Sequence, residues 1–165
     1  MKFTLFAALL VATLPFHHAQ ADSLQGRVVG VVDGDTIDVL VGEREFHRIR
    51  LAGIDAPEKK QPYGQQAKRR MADLVFGKPV SVEFAKRDKY KRIVGVVQLN
   101  GTDTGLNLIR AGLAWHYKKY QVEQPLEERA AYADAEAVAR NARAGLWSDV
   151  NPAPPWIWRH KRKEG

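Results

Sequence analysis

Three aspartates, Asp33, Asp35 and Asp38, interrupt the apolar stretch Val31-Val-Asp-Gly-Asp-Thr-Ile-Asp-Val39. Carboxylates in a β-rich segment serve as turn residues, as a solvated strand face, or as ligands for a cation. Asp33-Gly34 is a strong hairpin-turn pair. In a strand that starts at Asp35, residues Asp35, Ile37, Val39 and Val41 share one face, and Thr36, Asp38 and Leu40 the other. Asp35 then ends a row of core-facing residues at the mouth of the fold, while Asp38 faces solvent. A second group follows in Arg50-Leu-Ala-Gly-Ile-Asp55-Ala-Pro-Glu58. It places a cation at a strand end, a carboxylate just beyond it and a second carboxylate after a proline. Pro57 fixes its own torsion and restricts Ala56, so this loop is expected to be stiff. Two carboxylates, a backbone carbonyl and water suit a hard divalent cation; an ordinary charged surface loop is the alternative.

The third group is Lys86-Arg-Asp-Lys-Tyr-Lys-Arg92, in which five of seven residues are cationic. Most of such a run is solvated loop. Arg92, at the start of a strand, can make fork-shaped contacts to phosphate oxygens, and Tyr90 offers a ring for stacking or hydrogen bonding. His47, His116 and His160 show no spacing that pairs two of them on a metal. The chain contains no cysteine, which excludes thiol catalysis, disulfides and thiolate-bound metals.

The elements that must position these groups are short strands and a few helices. Strand signals cover Gly26–Val32, Thr36–Val41, Glu45–Ala52, Val80–Ala85 and Ile93–Leu99, separated by Gly, Asp and Asn turns. Gln65–Val75 reads as an amphipathic helix with Ala67, Met71, Leu74 and Val75 on one face, stopped by Gly77-Lys78-Pro79. Asp103 or Thr104 caps a helix over Gly105–Ala111 that ends at Gly112. Pro125 opens a long helix through residue 144, with Gly145 at its C′ position. Five strands, one interposed helix and two following helices predict an α+β fold, a small barrel with helices packed on it.

Residues 1–21 read as a cleaved secretory signal peptide: Lys2, an apolar run over Phe3–Phe16, and Ala19-Gln-Ala21. The run is shorter than the roughly 20 residues a membrane-spanning helix needs. Export to the periplasm or the medium is the expectation, with no membrane span after cleavage. Residues 22–149 form one domain, and 150–165 a Pro-, Trp- and Lys/Arg-containing tail whose two tryptophans dock back on the barrel. The 165 residues carry 26 Lys+Arg against 19 Asp+Glu, a net +7. That balance makes an anionic partner such as nucleic acid plausible.

Asp-Gly-Asp-Thr, Arg-Leu-x-Gly-Ile-Asp-x-Pro-Glu and Asp-Lys-Tyr-x-Arg, in this order and spacing, resemble the staphylococcal nuclease (thermonuclease) family. The similarity runs from about Gly26 to Asp149 and includes Gly145-Leu-Trp-Ser148. The resemblance implies an OB-fold five-stranded β-barrel with three α-helices and a calcium-dependent phosphodiesterase acting on DNA and RNA, leaving 3′-phosphates. Residue by residue, it implies Asp35, Asp55 and the Ala56 backbone carbonyl as Ca2+ ligands. Asp33 and Thr36 match positions beside the metal. Arg50 and Arg92 match the arginines that grip the phosphate, and Glu58 the residue that activates water. Lys89, Tyr90, Tyr117 and Tyr120 are assigned to substrate binding. The family commonly has glycine where this chain has Lys91, so lysine either strains that turn or adds a phosphate-facing cation. A monomer suffices for this chemistry. The competing reading is a non-catalytic OB-type nucleic-acid-binding module; a weaker one is a cell-envelope interaction protein using the tail.

Overall fold

The computed structural model of the protein describes residues 22–161; the signal-peptide reading of residues 1–21 lies outside them. Eight strands occur, β1 (Asp22–Val31), β2 (Thr36–Val41), β3 (Glu45–Leu51), β4 (Ile54–Asp55), β5 (Pro79–Arg87), β6 (Ile93–Leu99), β7 (Thr102–Asp103) and β8 (Trp115–His116). The α-helices are α1 (Gly64–Val75), α2 (Thr104–Arg110), α3 (Leu126–Asn141) and α4 (Pro155–Lys161). Short 3-10 turns cover Lys118–Glu123 and Gly145–Ser148. Among the described residues, no helix is long and apolar enough to cross a membrane.

Strands β3-β2-β1-β5-β6 lie in that order, and a parallel pairing of β3 with β6 closes them into a five-stranded mixed barrel. The fold class is therefore α+β with an OB-type barrel. Alternation does the work expected of it. Ile37 and Val39 of β2, Ile49 and Leu51 of β3, Val80 and Val82 of β5 and Ile93 and Val97 of β6 fill the interior. Ala67, Met71 and Val75 of α1 close one end of this core, and Leu108, Ile109 and Tyr132 extend it under α2 and α3. Each fully buried aliphatic side chain contributes roughly 1.5–3 kcal/mol. A half-exposed pair such as Lys86–Glu123 adds under about 1 kcal/mol, so the core holds the barrel.

The helix boundaries follow local chemistry, with one correction. Asp103 caps α2, its Oδ1 accepting from the Leu106 N–H at 3.0 Å. The long helix α3 stops at Asn141, three residues short of the expected end; Arg143 takes the left-handed C′ position (φ 50°), and Gly145, two residues on, is left-handed as well (φ 52°). Gly145 serves another purpose. A Cβ there would lie 2.3 Å from the Gly112 carbonyl oxygen, and one on Gly112 would lie 2.1 Å from the Ala144 carbonyl. These two glycines let the turn after α2 and the turn after α3 touch backbone to backbone, sealed by Leu146 N–H donating to Gly112 O.

One feature exceeds the sequence reading, and the tail docks back through Trp156. The two-residue strand β4 pairs with β8, setting Asp55 opposite Trp115. In the tail, α4 packs on the domain rather than leaving it. Trp156 stacks on Tyr117 (5.4 Å, 20° between planes) and meets Trp115 edge-on at 5.5 Å.

Candidate active site

The Asp33-Gly34 turn closes with Val32 and Asp33 N–H groups donating to Thr36 O. Asp33 Oδ1 accepts from the Asp35 N–H at 3.1 Å, so Asp33 shapes the turn that delivers Asp35. Gly34 is needed because a Cβ there would come within 2.7 Å of the Ala56 and Ala67 side chains. Asp35 is 5% exposed. Its Oδ1 accepts from Thr36 Oγ1 at 3.1 Å, and its Oδ2 from the Ala56 N–H at 2.6 Å. The β1–β2 turn is thereby stitched to the loop after β4. Asp38, as expected, points away from this centre and pairs with Arg48 on the outer surface (2.8 and 3.1 Å).

Arg50 sits opposite Thr36 in the β2–β3 ladder. Its Nη1 donates to the carbonyls of Leu51 and Ile54, at 2.8 and 2.9 Å. Its Nη2 reaches Asp55 Oδ1 at 2.8 Å and Asp35 Oδ2 at 3.2 Å. Two carboxylates from different elements thus converge on one guanidinium nitrogen, and Asp55 is fully buried. Glu58 lies at the rim, its loop pinned by Gln61, whose side chain accepts from the Glu58 N–H and whose N–H donates to Glu58 O. Gly64, the first residue of α1, presses on the same loop: a Cβ there would sit 1.9 Å from Glu58 O.

Negative charge outruns its compensation in this cluster. Burial, then the neighbouring Asp35 carboxylate, pushes the Asp33 carboxyl up to about 6. Burial also raises Asp55 above the ordinary carboxylate range, against the opposing pull of Arg159 and Arg50. Burial, then the Asp55 charge, raises the Tyr117 phenol. Carboxylates that burial holds back from ionising mark a place where a cation would be welcome. The donor set is all oxygen, and among the described residues no cluster of three or more His, Cys, Asp or Glu side chains could hold a metal. A cation here would complete its shell from backbone carbonyls and water, which suits a hard ion such as calcium and not zinc.

The remaining predicted residues divide between two places. Tyr117 borders the carboxylate cluster. Its N–H donates to Gly53 O and its ring meets Tyr120 edge-on at 5.2 Å. Tyr120 is partly exposed, with Lys86 and Lys119 over its ring. Lys89, Tyr90 and Arg92 lie elsewhere, on the turn between β5 and β6. Arg92 is clamped by Asp88, with Nε and Nη2 each 2.7 Å from Oδ2, and lies over the Tyr90 ring. None of the three contacts Asp35 or Asp55. Tyr90 and Arg92, with Lys91 between them, border an open groove of about 620 Å³ whose walls include Val29, Phe46 and Arg48. Phe46 and Tyr90 are both about two-thirds exposed there.

Lys91 occupies the left-handed region at φ 64°, where glycine is free and other residues lose about 1–2 kcal/mol. The turn nevertheless closes, with Lys91 N–H donating to Asp88 O and Arg92 N–H to Asp88 Oδ1. Lysine therefore strains the turn without displacing Arg92. Lys91→Gly should raise stability by about 0.5–1 kcal/mol, the relief being partly offset by glycine's extra freedom in the unfolded chain. Urea unfolding at neutral pH checks this, and an unchanged or lower midpoint would mean that the lysine adapts without cost.

The sequence reading did not include Arg159. From α4 it forms a bidentate pair with Asp55, Nη1 to Oδ1 at 3.1 Å and Nη2 to Oδ2 at 2.8 Å, and Nη1 also reaches Glu58 Oε1 at 2.9 Å. Burial alone would disfavour its charge, but the bonds to Asp55 and Glu58 outweigh this and raise its pKa. The available signal was the i, i+3 spacing of Trp156 and Arg159, which puts both on one helix face.

A protein-family model described as "Staphylococcal nuclease homologue" matches residues 48–149. An Escherichia coli protein described as an "uncharacterized endonuclease" is 46% identical over 140 residues, covering 84% of this chain and 87% of that one. A Shigella flexneri "micrococcal nuclease" is 43% identical over 166 residues, covering 95% and 90%. The "Staphylococcal-like nuclease CAN1" of Arabidopsis thaliana is 42% identical over 153 residues, 90% of this chain and 45% of that longer protein. With the barrel closed and three of the motif residues, Asp35, Arg50 and Asp55, in mutual contact at its mouth, the chain belongs to the staphylococcal nuclease family.

Proposed function

We propose that the protein is an exported, calcium-dependent endonuclease that hydrolyses phosphodiester bonds in DNA and RNA as a monomer. The observation that carries this reading is the convergence of buried Asp35 and Asp55 on Arg50, with Glu58 at the rim. A site that only bound phosphate would gain nothing from carboxylates placed there. Asp35, Asp55 and the Ala56 carbonyl would hold the Ca2+, which when bound supplies charge neutralisation at a phosphate oxygen and an oriented water.

The chain's own residues supply the rest. Arg50, fixed by two carbonyls and two carboxylates, donates to the phosphoryl oxygens as charge grows on them. Arg92 offers a second guanidinium from the turn that leads into β6, the strand that pairs with that of Arg50. Preorganised donors of this kind are each worth roughly 3–4 kcal/mol of barrier. Glu58 takes a proton from the attacking water, the new O–P bond forms, and the bond to the 5′ oxygen breaks. The leaving 5′ oxygen takes a proton from solvent, and a 3′-phosphate and a 5′-hydroxyl result. Asp33 and Thr36 hold Asp35, while Tyr117, Tyr120, Lys89 and Tyr90 supply stacking faces and positive charge for the flanking nucleotides.

The groove beside Phe46 and Tyr90 supports a second reading, a module that binds nucleic acid without cutting it. Digestion of DNA and RNA by the purified protein at saturating calcium separates the two. Cleavage that stops on chelation and leaves 3′-phosphate ends is the expected result. Binding without cleavage would establish the module instead.

A further inference from the structure

Arg159 contacts two of the groups the site needs most, and α4 brings an indole with it. Both Asp55 oxygens are engaged: Oδ1 accepts from Arg50 and Arg159, and Oδ2 from Arg159. Glu58 Oε1 accepts from the same Arg159 Nη1. A divalent cation needs the Asp55 lone pairs that this guanidinium uses, and would add two positive charges beside it. The two occupants compete for Asp55, and their like charges repel.

We infer that α4 is an inhibitory latch, its Arg159 side chain holding the cation position beside Asp55 and Glu58 while Trp156 covers the Tyr117 ring. This rests on the metal-dependent reading above. The latch is built to open. The helix has seven residues and belongs to no sheet, too short to persist undocked. It hangs on residues 151–154, which are free of regular structure and rich in proline. Its anchors include the Arg159 fork, the packing of Trp156 on Tyr117 and Trp115, and Gln61 Nε2 donating to Ala153 O. Arg159 keeps about a third of its side chain in water, so an arriving cation can reach the pair.

Calcium and the docked helix then compete. The apparent calcium affinity is lowered by the fraction of molecules that are latched, and by reciprocity calcium must loosen the helix to the same degree. The same displacement uncovers Tyr117 for a nucleobase, so metal loading and substrate access are released together. When calcium is scarce, Arg159 gives Asp55 a second guanidinium beside Arg50 and gives Glu58 a counter-charge.

Calorimetric titration of calcium chloride into the full chain and into Arg159→Ala tests this, with amide exchange over residues 155–161 as a structural readout. The variant should bind calcium about tenfold or more tightly, and saturating calcium should speed exchange in α4 of the wild type. Trp156→Ala, which loosens the helix from outside the carboxylate cluster, should also tighten calcium binding. This second variant stands in if Arg159→Ala does not fold. Equal calcium affinity in wild type and both variants would overturn the latch while leaving the metal reading intact. Weaker binding or slower turnover in Arg159→Ala would overturn it too, making Arg159 a supporting group for metal or phosphate. Absence of calcium binding in every form would overturn both readings.

Discussion

Glu58→Gln should lower turnover on DNA by about 10²–10⁴-fold, the range expected for loss of a positioned general base, with nucleotide affinity retained. The glutamine keeps the shape of the side chain and leaves its backbone bonds to Gln61 in place, so the loop should hold. What it removes is a lone pair basic enough to accept a proton from water. Steady-state kinetics with saturating calcium, paired with a nucleotide-binding titration, separates the two effects. Wild-type turnover would show that another group activates the water. A parallel loss of affinity would show that Glu58 contributes mainly to binding the substrate or the cation. Glu58 is only partly buried, so the substitution should leave the melting temperature nearly unchanged, which makes the kinetic readout clean.

Arg50→Ala should cost about 3–5 kcal/mol of stability in addition to most of the activity, because it removes one partner from a buried charge network. Arg50 satisfies the carbonyls of Leu51 and Ile54 and touches both Asp35 and Asp55. Its loss leaves two carbonyls without this donor and two buried carboxylates short of counter-charge at once. Thermal unfolding should show a drop of roughly 10 °C for a domain of this size. Arg50→Lys should recover part of the charge but not the four-way fork, since an ammonium cannot span those directions. A loss below about 1 kcal/mol would mean that Arg159 alone suffices to hold Asp55.

The two substitutions illustrate how one motif divides its labour. In Arg50-Leu-Ala-Gly-Ile-Asp55-Ala-Pro-Glu58 the half-buried Arg50 and the fully buried Asp55 hold the barrel mouth together, whereas Glu58 is at the rim. The requirement for glycine at position 53 fits this packing. Its φ is 70°, and a Cβ there would collide with Gln124 and Tyr132, so the loop is pressed directly onto α3.

Much of this was legible in the amino-acid sequence because it depends on local pattern. Period-two alternation marked Ile37 and Val39 as interior and Asp38 as exterior, and glycine, proline and aspartate marked the turns and the cap at Asp103. The spacing of Asp35, Arg50, Asp55 and Glu58 pointed to the staphylococcal nuclease family, which the relatives show. What only the tertiary structure decided concerns partners far apart in the chain. Lys91 lies in the left-handed region because the Asp88 turn imposes it. Gly145 is needed for its approach to Gly112 and not as a helix terminator. The grouping of Arg92 with Tyr90 and the outer groove, apart from Asp35 and Asp55, follows from the clamp at Asp88. Above all, Arg159 meets Asp55 across 104 positions of sequence. The tail's tryptophans signal docking, but no periodicity records which carboxylate its arginine will find. That pairing exists only once the barrel has closed, buried Asp55 beyond the reach of water, and left a cation as its remaining means of neutralisation.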